Sequence, residues 1–239
     1  MEYPKILTLY ERDENFRVDT SKLIKPHFDN IKRWYITEKI DGTNIRVGLH
    51  PDGIIEFGGR GEESQMPVPL YNFLTTRITP GIVQAAFKKE KDTNLWPEVA
   101  IFGEGYGPGI GKGGKYREDI SFIIFDVIVD GWWLSRANVM DVARKLGFPN
   151  TVPDLRIITG LPKTEEDLRD IIGCDGESML GRSLGKSCLA EGIVARADPH
   201  LFFNNGNPIM WKLKFRDFRG KGKKDPAKEE ITGDGNEKT

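Results

Sequence analysis

The chain has 239 residues, 38% of them apolar, with thirteen Phe, six Tyr and five Trp, and a formal net charge of −1. This length suits one domain plus a short appendage, and a core that buries about 70% or more of the unfolded-state surface needs no disulfide or metal staple. The balanced charge excludes a globally basic surface, so any face that binds a polyanion has to be local.

Short β-rich runs recur along the chain, at residues 34–37, 44–49, 54–57, 99–102, 120–129, 191–195 and 209–215. Turn signals separate several of them: Asp41-Gly42, Pro51-Asp52-Gly53, Asp130-Gly131 and Asn205-Gly206. Helical segments are expected at 68–76 and 82–89. A further helix follows Ser135, where Val139, Val142, Ala143 and Leu146 recur at helical spacing before Gly147. Thr164-Glu165-Glu166-Asp167 is a capping-box variant leading into Leu168, Ile171 and Ile172. Strands in hairpin succession, interrupted by helices, predict an α+β fold with antiparallel sheet. From residue 219 the composition turns to Lys, Asp, Glu and Gly, so residues 1–218 are read as the domain and 219–239 as a charged, mobile tail.

Cys174 and Cys188 form no CxxC and stand beside no histidine pattern, which excludes a zinc framework and fits unpaired thiols in a reducing cytosol. His27, His50 and His200 are scattered and read as structural or solvated. The first five residues carry no apolar leader, and the longest apolar run, 120–134, contains Asp126 and Asp130. A soluble, cytoplasmic protein is expected.

Chemistry concentrates in a few segments. In Lys39-Ile40-Asp41-Gly42, alternation on a strand projects Lys39 and Asp41 to one side, with Gly42 supplying a tight turn. Taken alone, so short a segment is more often a surface hairpin. A lysine amine is a nucleophile only when neutral, so a site that uses it has to lower its pKa through cations, a metal or desolvation. Phe102-Gly103-Glu104 ends a strand in a glycine-rich stretch, Phe125 offers an aromatic face in an apolar strand, and Glu191 opens a buried one. In Trp211-Lys212-Leu213-Lys214-Phe215 both lysines share a face and call for an anion; triphosphate is a good candidate, and their charge would help lower the pKa of Lys39. Gly109 to Lys115 spells G-x-x-x-x-G-K, but Tyr116 stands where a P-loop needs Ser or Thr, so the glycines read as a loop beside the nucleotide site.

The order K-x-D-G, F-G-E, aromatic strand, E-G-x-V and K-x-K resembles that of the covalent nucleotidyltransferases. Residues 102–115 (FGEGYGPGIGKGGK), 122–129 (FIIFDVIV), 190–194 with Asn204-Asn205-Gly206-Asn207-Pro208, and Asn44 are similar to the T4 RNA ligase 2-like family over residues 3–219. The resemblance implies the nucleotidyltransferase fold, with the nucleotide site between antiparallel sheets, and an ATP-dependent RNA ligase. Lys39 would attack the α-phosphate of ATP, AMP would pass to an RNA 5′-phosphate, and a 3′-OH would then seal the strand. Phe125 is implied to stack on adenine, Glu38 and Ile40 to border it, and Glu104 and Arg60 to contact ribose or neighbouring groups. Asn44 is expected near the reacting phosphates, Glu191 and Glu104 at a Mg²⁺ (Mn²⁺ as the alternative), and Lys212 and Lys214 on the α-phosphate. Asp41 orients nearby groups, and Lys112, Lys115 and Arg117 are candidate RNA phosphate contacts.

Members of that family carry a further domain after the K-x-K motif, where this sequence has the charged tail. Self-adenylylation is therefore the activity most directly implied; sealing by the chain alone, as a dimer or with a partner protein stays open. The competing readings are a DNA ligase, a GTP-using capping enzyme, or a catalytically silent RNA-binding module.

Overall fold

The structure, a computed structural model, describes residues 2–61 and 64–220. Its strands are β1 (Leu7–Thr8), β2 (Tyr10–Arg12), β3 (Val18–Leu23), β4 (Trp34–Lys39), β5 (Thr43–Leu49), β6 (Ile55–Gly58), β7 (Val99–Tyr106), β8 (Ser121–Val129), β9 (Trp132–Trp133), β10 (Asp154–Ile158), β11 (Gly192–Ala197) and β12 (Met210–Lys214). The α-helices are α1 (Val68–Arg77), α2 (Pro80–Ala86), α3 (Arg136–Lys145), α4 (Glu165–Ile172) and α5 (Met179–Ser183). Two five-stranded sheets result, one ordered β1-β12-β11-β4-β10 and the other β6-β5-β7-β8-β9, with β2 and β3 forming a small ribbon. Pairing is antiparallel except for β1 on β12. The expected α+β architecture is the one found.

Each sheet buries one face in its own core, because alternate residues of a strand point opposite ways. The β5–β7–β8 sheet sets Ile45, Val47, Ile101, Ile124 and Val127 against Leu70 and Leu74 of α1, Val83 of α2 and Val139 and Val142 of α3. The β4–β11–β12 sheet sets Trp34, Ile36, Ile193, Ala195, Trp211 and Leu213 against Leu168, Ile171 and Ile172 of α4. There the rings of Trp34 and Trp211 meet at 5.5 Å and 63°, an edge contact that adds about 0.5–1.5 kcal/mol beyond its buried area. The α4 capping box is present: Thr164 accepts from the Asp167 amide, and the Asp167 side chain accepts from the amide of Thr164.

Three expectations are corrected. The strand expected to stop in the Phe102–Glu104 segment runs on through Gly105 to Tyr106, since Gly103 and Gly105 remain paired with β5 and β8. A Cβ at Gly103 would lie 2.4 Å from the Phe122 ring, and one at Gly105 would lie 2.4 Å from Leu70. These glycines mark close packing rather than a turn. The second helix spans Pro80–Ala86 instead of 82–89, capped by the Thr79 side chain at Ile82 N. Gly42 does not close a hairpin, since β4 and β5 belong to different sheets; it is required because its Cβ would stand 2.2 Å from the Gly105 carbonyl oxygen. The β4–β5 connection is thus pressed against β7, which joins the two sheets at this point.

Of the expected tail, only Arg219 and Gly220 lie within the described residues. Arg219 donates to both carboxylate oxygens of Glu165 on α4, at 2.6 and 3.0 Å. No helix among the described residues is long and apolar enough to cross a membrane.

The close approach at Gly42 gives a direct test. Gly42→Ala forces the β4–β5 connection off β7 and is expected to cost about 1–3 kcal/mol, the range for overpacking a filled site. Urea unfolding of both proteins measures this, and an unchanged midpoint would mean that the connection does not press on β7.

Candidate active site

Between the two sheets lies a cavity of about 440 Å³, within the size range of small-molecule sites. From one sheet it is lined by Tyr35, Thr37 and Lys39 of β4, Val194 and Arg196 of β11, and Lys212 of β12. From the other it is lined by Asn44, Glu104 and Phe125. Strand register explains the clustering. Lys39 sits opposite Gly192, which sits opposite Lys214, and the next inward-facing rung is Thr37, Val194 and Lys212. Asn44 and Glu104 form one cross-strand pair on the facing sheet. The rungs are about 6.6 Å apart, twice the rise of a strand residue.

Glu191 holds the first rung together. Its Oε2 accepts from Lys39 Nζ at 2.6 Å, and its Oε1 accepts from Lys214 Nζ. Exposure of these side chains is 19% for Lys39, 10% for Lys214 and 11% for Glu191, so little solvent screens them. The alternation expected in β12 is present, with Trp211 and Leu213 wholly buried in the core and both lysines on the opposite face.

The electrostatics reverse one expectation. The cationic strand does not lower the Lys39 pKa. Burial alone would lower it, but Glu191, Glu104 and Asp41 outweigh burial and hold the amine above the ordinary lysine range. The depressed amine is Lys212, brought down to about 8 by burial and then by the charges of Lys214 and Lys39. Lys214 is lowered too, by burial first and then by Lys39. Burial raises Glu104 to about 7 against the pull of Lys39. Glu191 lies below the usual carboxylate range because the lysines overcome the effect of its burial.

Other expected residues fall into place unevenly. Phe125, the bulged residue of β8, is half-buried at the cavity wall. Asn44 Oδ1 is buried and without a hydrogen-bond donor. Arg60 is exposed at the rim, where it also borders a second cavity with Gly42, Thr43 and Asn44. Ile40 is buried in a small cluster with Tyr116, Ile123 and Leu180. Glu38 lines the cavity, yet its carboxylate accepts from Ser178 Oγ and Leu180 N, a position set by α5, which the sequence reading missed. Asp41 lies just past the end of β4, where its charge acts on Lys39, and its Oδ1 accepts from the Lys112 amide at 3.3 Å. It thereby ties the glycine-rich loop to the β4–β5 connection.

That loop is no P-loop, since residues Gly113–Lys115 form a single 3-10 turn that leads into β8. Of the candidate RNA contacts, Lys115 donates to the Leu189 carbonyl at 2.7 Å and Arg117 pairs with Asp119, leaving Lys112 as the exposed member of the set. Arg136, His200 and the Asp126–Arg196 pair also line the cavity, and none was singled out as a site residue. Asp126, an acid inside an apolar strand, was the available signal, because a buried carboxylate needs a partner.

Could a metal be held here? Among the described residues no three His, Cys, Asp or Glu side chains come together. Glu191, whose oxygens here face Lys39 and Lys214, and Glu104 on the facing sheet are the carboxylates whose hard oxygens would suit Mg²⁺ or Mn²⁺.

Two antiparallel sheets closing on a lysine-rich slot define a nucleotidyltransferase fold. A model of the RNA ligase family matches residues 32–214, and the chain belongs to that family. No curated protein sequence matches it. Among solved structures it is similar to Naegleria gruberi RNA ligase with PPi (TM-score 0.56, 16% identity, covering 90% of this chain and 56% of that one). A mutant of that ligase with ATP and Mn gives a TM-score of 0.57 at 14% identity, covering 98% of this chain and 59% of that one. Another mutant, with AMP and Mn, gives 0.56 at 17% identity, covering 89% and 61%. The chain therefore spans less than two thirds of the length of these structures.

The charge assignment is open to direct measurement. In a pH titration of isotope-labelled lysines by NMR, Lys212 should lose its proton near pH 8, while Lys39 stays charged to higher pH. Glu191→Gln removes an anion from Lys39, so the Lys39 midpoint should fall. Midpoints in the reverse order would refute the assigned electrostatics.

Proposed function

We propose that this chain is an ATP-dependent RNA ligase of the T4 RNA ligase 2-like type, with Lys39 as the residue that becomes adenylylated. The observation that carries the reading is the first rung, where a half-buried lysine is bridged by Glu191 to a second lysine, with Glu104 on the facing sheet, in a slot walled by Phe125 and Val194. A binding module has no need of a nucleophile held in this way. The similar ligase structures, with ATP, AMP, PPi and Mn, agree with it.

The base would lie between Phe125 and Val194, one rung beyond the reacting phosphate. Lys39 Nζ attacks the α-phosphorus, an N–P bond forms, the α–β anhydride breaks, and pyrophosphate leaves. Lys212 and Lys214, facing the same space, stabilise charge that grows on the phosphoryl oxygens. Glu191 and Glu104 would hold the Mg²⁺ or Mn²⁺, whose chemistry is to neutralise phosphate charge. In the free chain Glu191 keeps the proton on Lys39, so whatever neutralises this carboxylate releases the amine for attack. The AMP then passes to the 5′-phosphate oxygen of an RNA end, regenerating the lysine. A neighbouring 3′-OH attacks that phosphate and expels AMP. Asn44, which borders both cavities, would meet the reacting phosphates or the RNA end, and Arg60, at the same rim, the ribose or a neighbouring group.

Incubation with α-labelled ATP and Mg²⁺ is expected to give acid-stable labelled protein, and Lys39→Ala to abolish it. Label that persists in the variant would put the nucleophile elsewhere. Stronger labelling by GTP would favour a capping enzyme, and joining of pre-adenylylated DNA nicks in preference to RNA nicks would favour a DNA ligase. Phe125→Ala should raise the ATP concentration needed for half-maximal labelling by the equivalent of about 1–3 kcal/mol, the worth of one base–aromatic stack. An unchanged ATP dependence would take Phe125 out of the base site.

A further inference from the structure

The slot has an inner end that the chemistry above does not use. Immediately after Phe125, β8 presents Asp126, and one rung beyond Val194, β11 presents Arg196. Arg196 Nη2 donates to Asp126 Oδ2 at 2.6 Å, and the Tyr3 hydroxyl donates to the same oxygen at 2.6 Å. Asp126 is 1% exposed and Tyr3 7%. Asp126 belongs to one sheet and Arg196 to the other, so the ion pair bridges the cleft. At the opposite end the sheets are joined by the chain itself, through the Ile40–Gly42 connection. Register sets Arg196 across from Tyr35, four residues along β4 from Lys39, or about 13 Å at the strand rise. The base slot lies between these two ties.

Tyr3 links this bridge to the stacking residue. Its ring meets Phe125 edge-on at 5.0 Å and 67°, and packs on Phe102 at 4.9 Å. Burial, and then the Asp126 charge, keep the phenol protonated and hence a donor. His200, the other titratable group beside Arg196, is pushed down to about 4 by burial and then by Arg196, so it adds no second cation. A buried ion pair is a weak source of stability, since well-packed apolar residues commonly serve as well. Its place beside the half-buried ring of Phe125, at the wall of the slot, calls for another account.

We propose that Tyr3, Asp126 and Arg196 are positioning residues: they set the gap between the sheets and the tilt of Phe125, so that a purine fits between Phe125 and Val194. The proposal deepens the reading of this cavity as a nucleotide site and rests on it. Its consequence is selective. The trio governs affinity for the base-bearing part of the nucleotide and leaves the phosphate end, held by the lysine rung, as it was.

The test is equilibrium binding of AMP and of pyrophosphate to the full chain by calorimetry, in wild type, Tyr3→Phe, Asp126→Asn, Arg196→Gln and Arg196→Lys. Tyr3→Phe keeps the ring and deletes only the hydroxyl, which leaves a folded variant if the charge variants unfold; thermal melting reports folding in each case. AMP affinity is expected to fall about tenfold or more in Asp126→Asn and Arg196→Gln, the worth of a hydrogen bond to a charged group. It should fall less in Tyr3→Phe and recover in part with Arg196→Lys, while pyrophosphate affinity stays within about twofold of wild type, a difference of a few tenths of a kcal/mol. Equal weakening of both ligands, or AMP affinity unchanged in folded variants, overturns the proposal, as does a wild-type chain that binds no AMP. Wild type that binds AMP yet never becomes labelled would sink the adenylylation reading alone, with the positioning role still judged by the variants.

Discussion

One carboxylate between two ammonium groups organises this molecule's functional end. Glu191 faces Lys39 through one oxygen and Lys214 through the other, in a cleft where neither lysine is more than one-fifth exposed. Removing charges from water costs several kcal/mol each, and loss of one partner leaves an uncompensated charge behind. The arrangement therefore persists only while three strands stay in register, with Lys39, Gly192 and Lys214 side by side. It also keeps the Lys39 amine charged, because the group that places the amine is the one that holds its proton.

The rest of the fold reads as support for this rung. The β4–β5 connection can seat against β7 only because Gly42 has no side chain to meet the Gly105 carbonyl. Asp41 then fastens the glycine-rich loop over that connection through the Lys112 amide. On the far side Glu38 reaches back to Ser178 and Leu180, so the strand that bears Lys39 is held from both flanks. Each contact is short in space and long in sequence: Glu38 lies 140 residues from Ser178 and Lys39 lies 152 from Glu191.

Much of the scaffold was legible from local patterns. Alternation in Trp211–Phe215 put both lysines on one face because a strand has a period of two, and the Thr164 capping box announced α4 because its side chains satisfy the first free amides. Less legible were β1 to β3, β10 and α5. These are short or mostly polar, and the parallel pairing of β1 with β12 joins opposite ends of the domain, with no local signal to report it. The same holds for the site. Lys39, Glu104, Phe125, Glu191, Lys212 and Lys214 stood in recognisable motifs, whereas Tyr3 and Arg196 acquire a role only by meeting Asp126 across the cleft.

By itself the sequence determined which chemical groups are available, which strands alternate, and that the chain would fold as α+β with Lys39 at the end of a strand. Only the tertiary structure decided which amine is easily deprotonated. The pattern of cations pointed to Lys39, but proton affinity follows distance and burial rather than order along the chain. Packing placed acids against Lys39 and left Lys212 beside Lys214 and Lys39, so Lys212 rather than Lys39 holds its proton less firmly than an ordinary lysine.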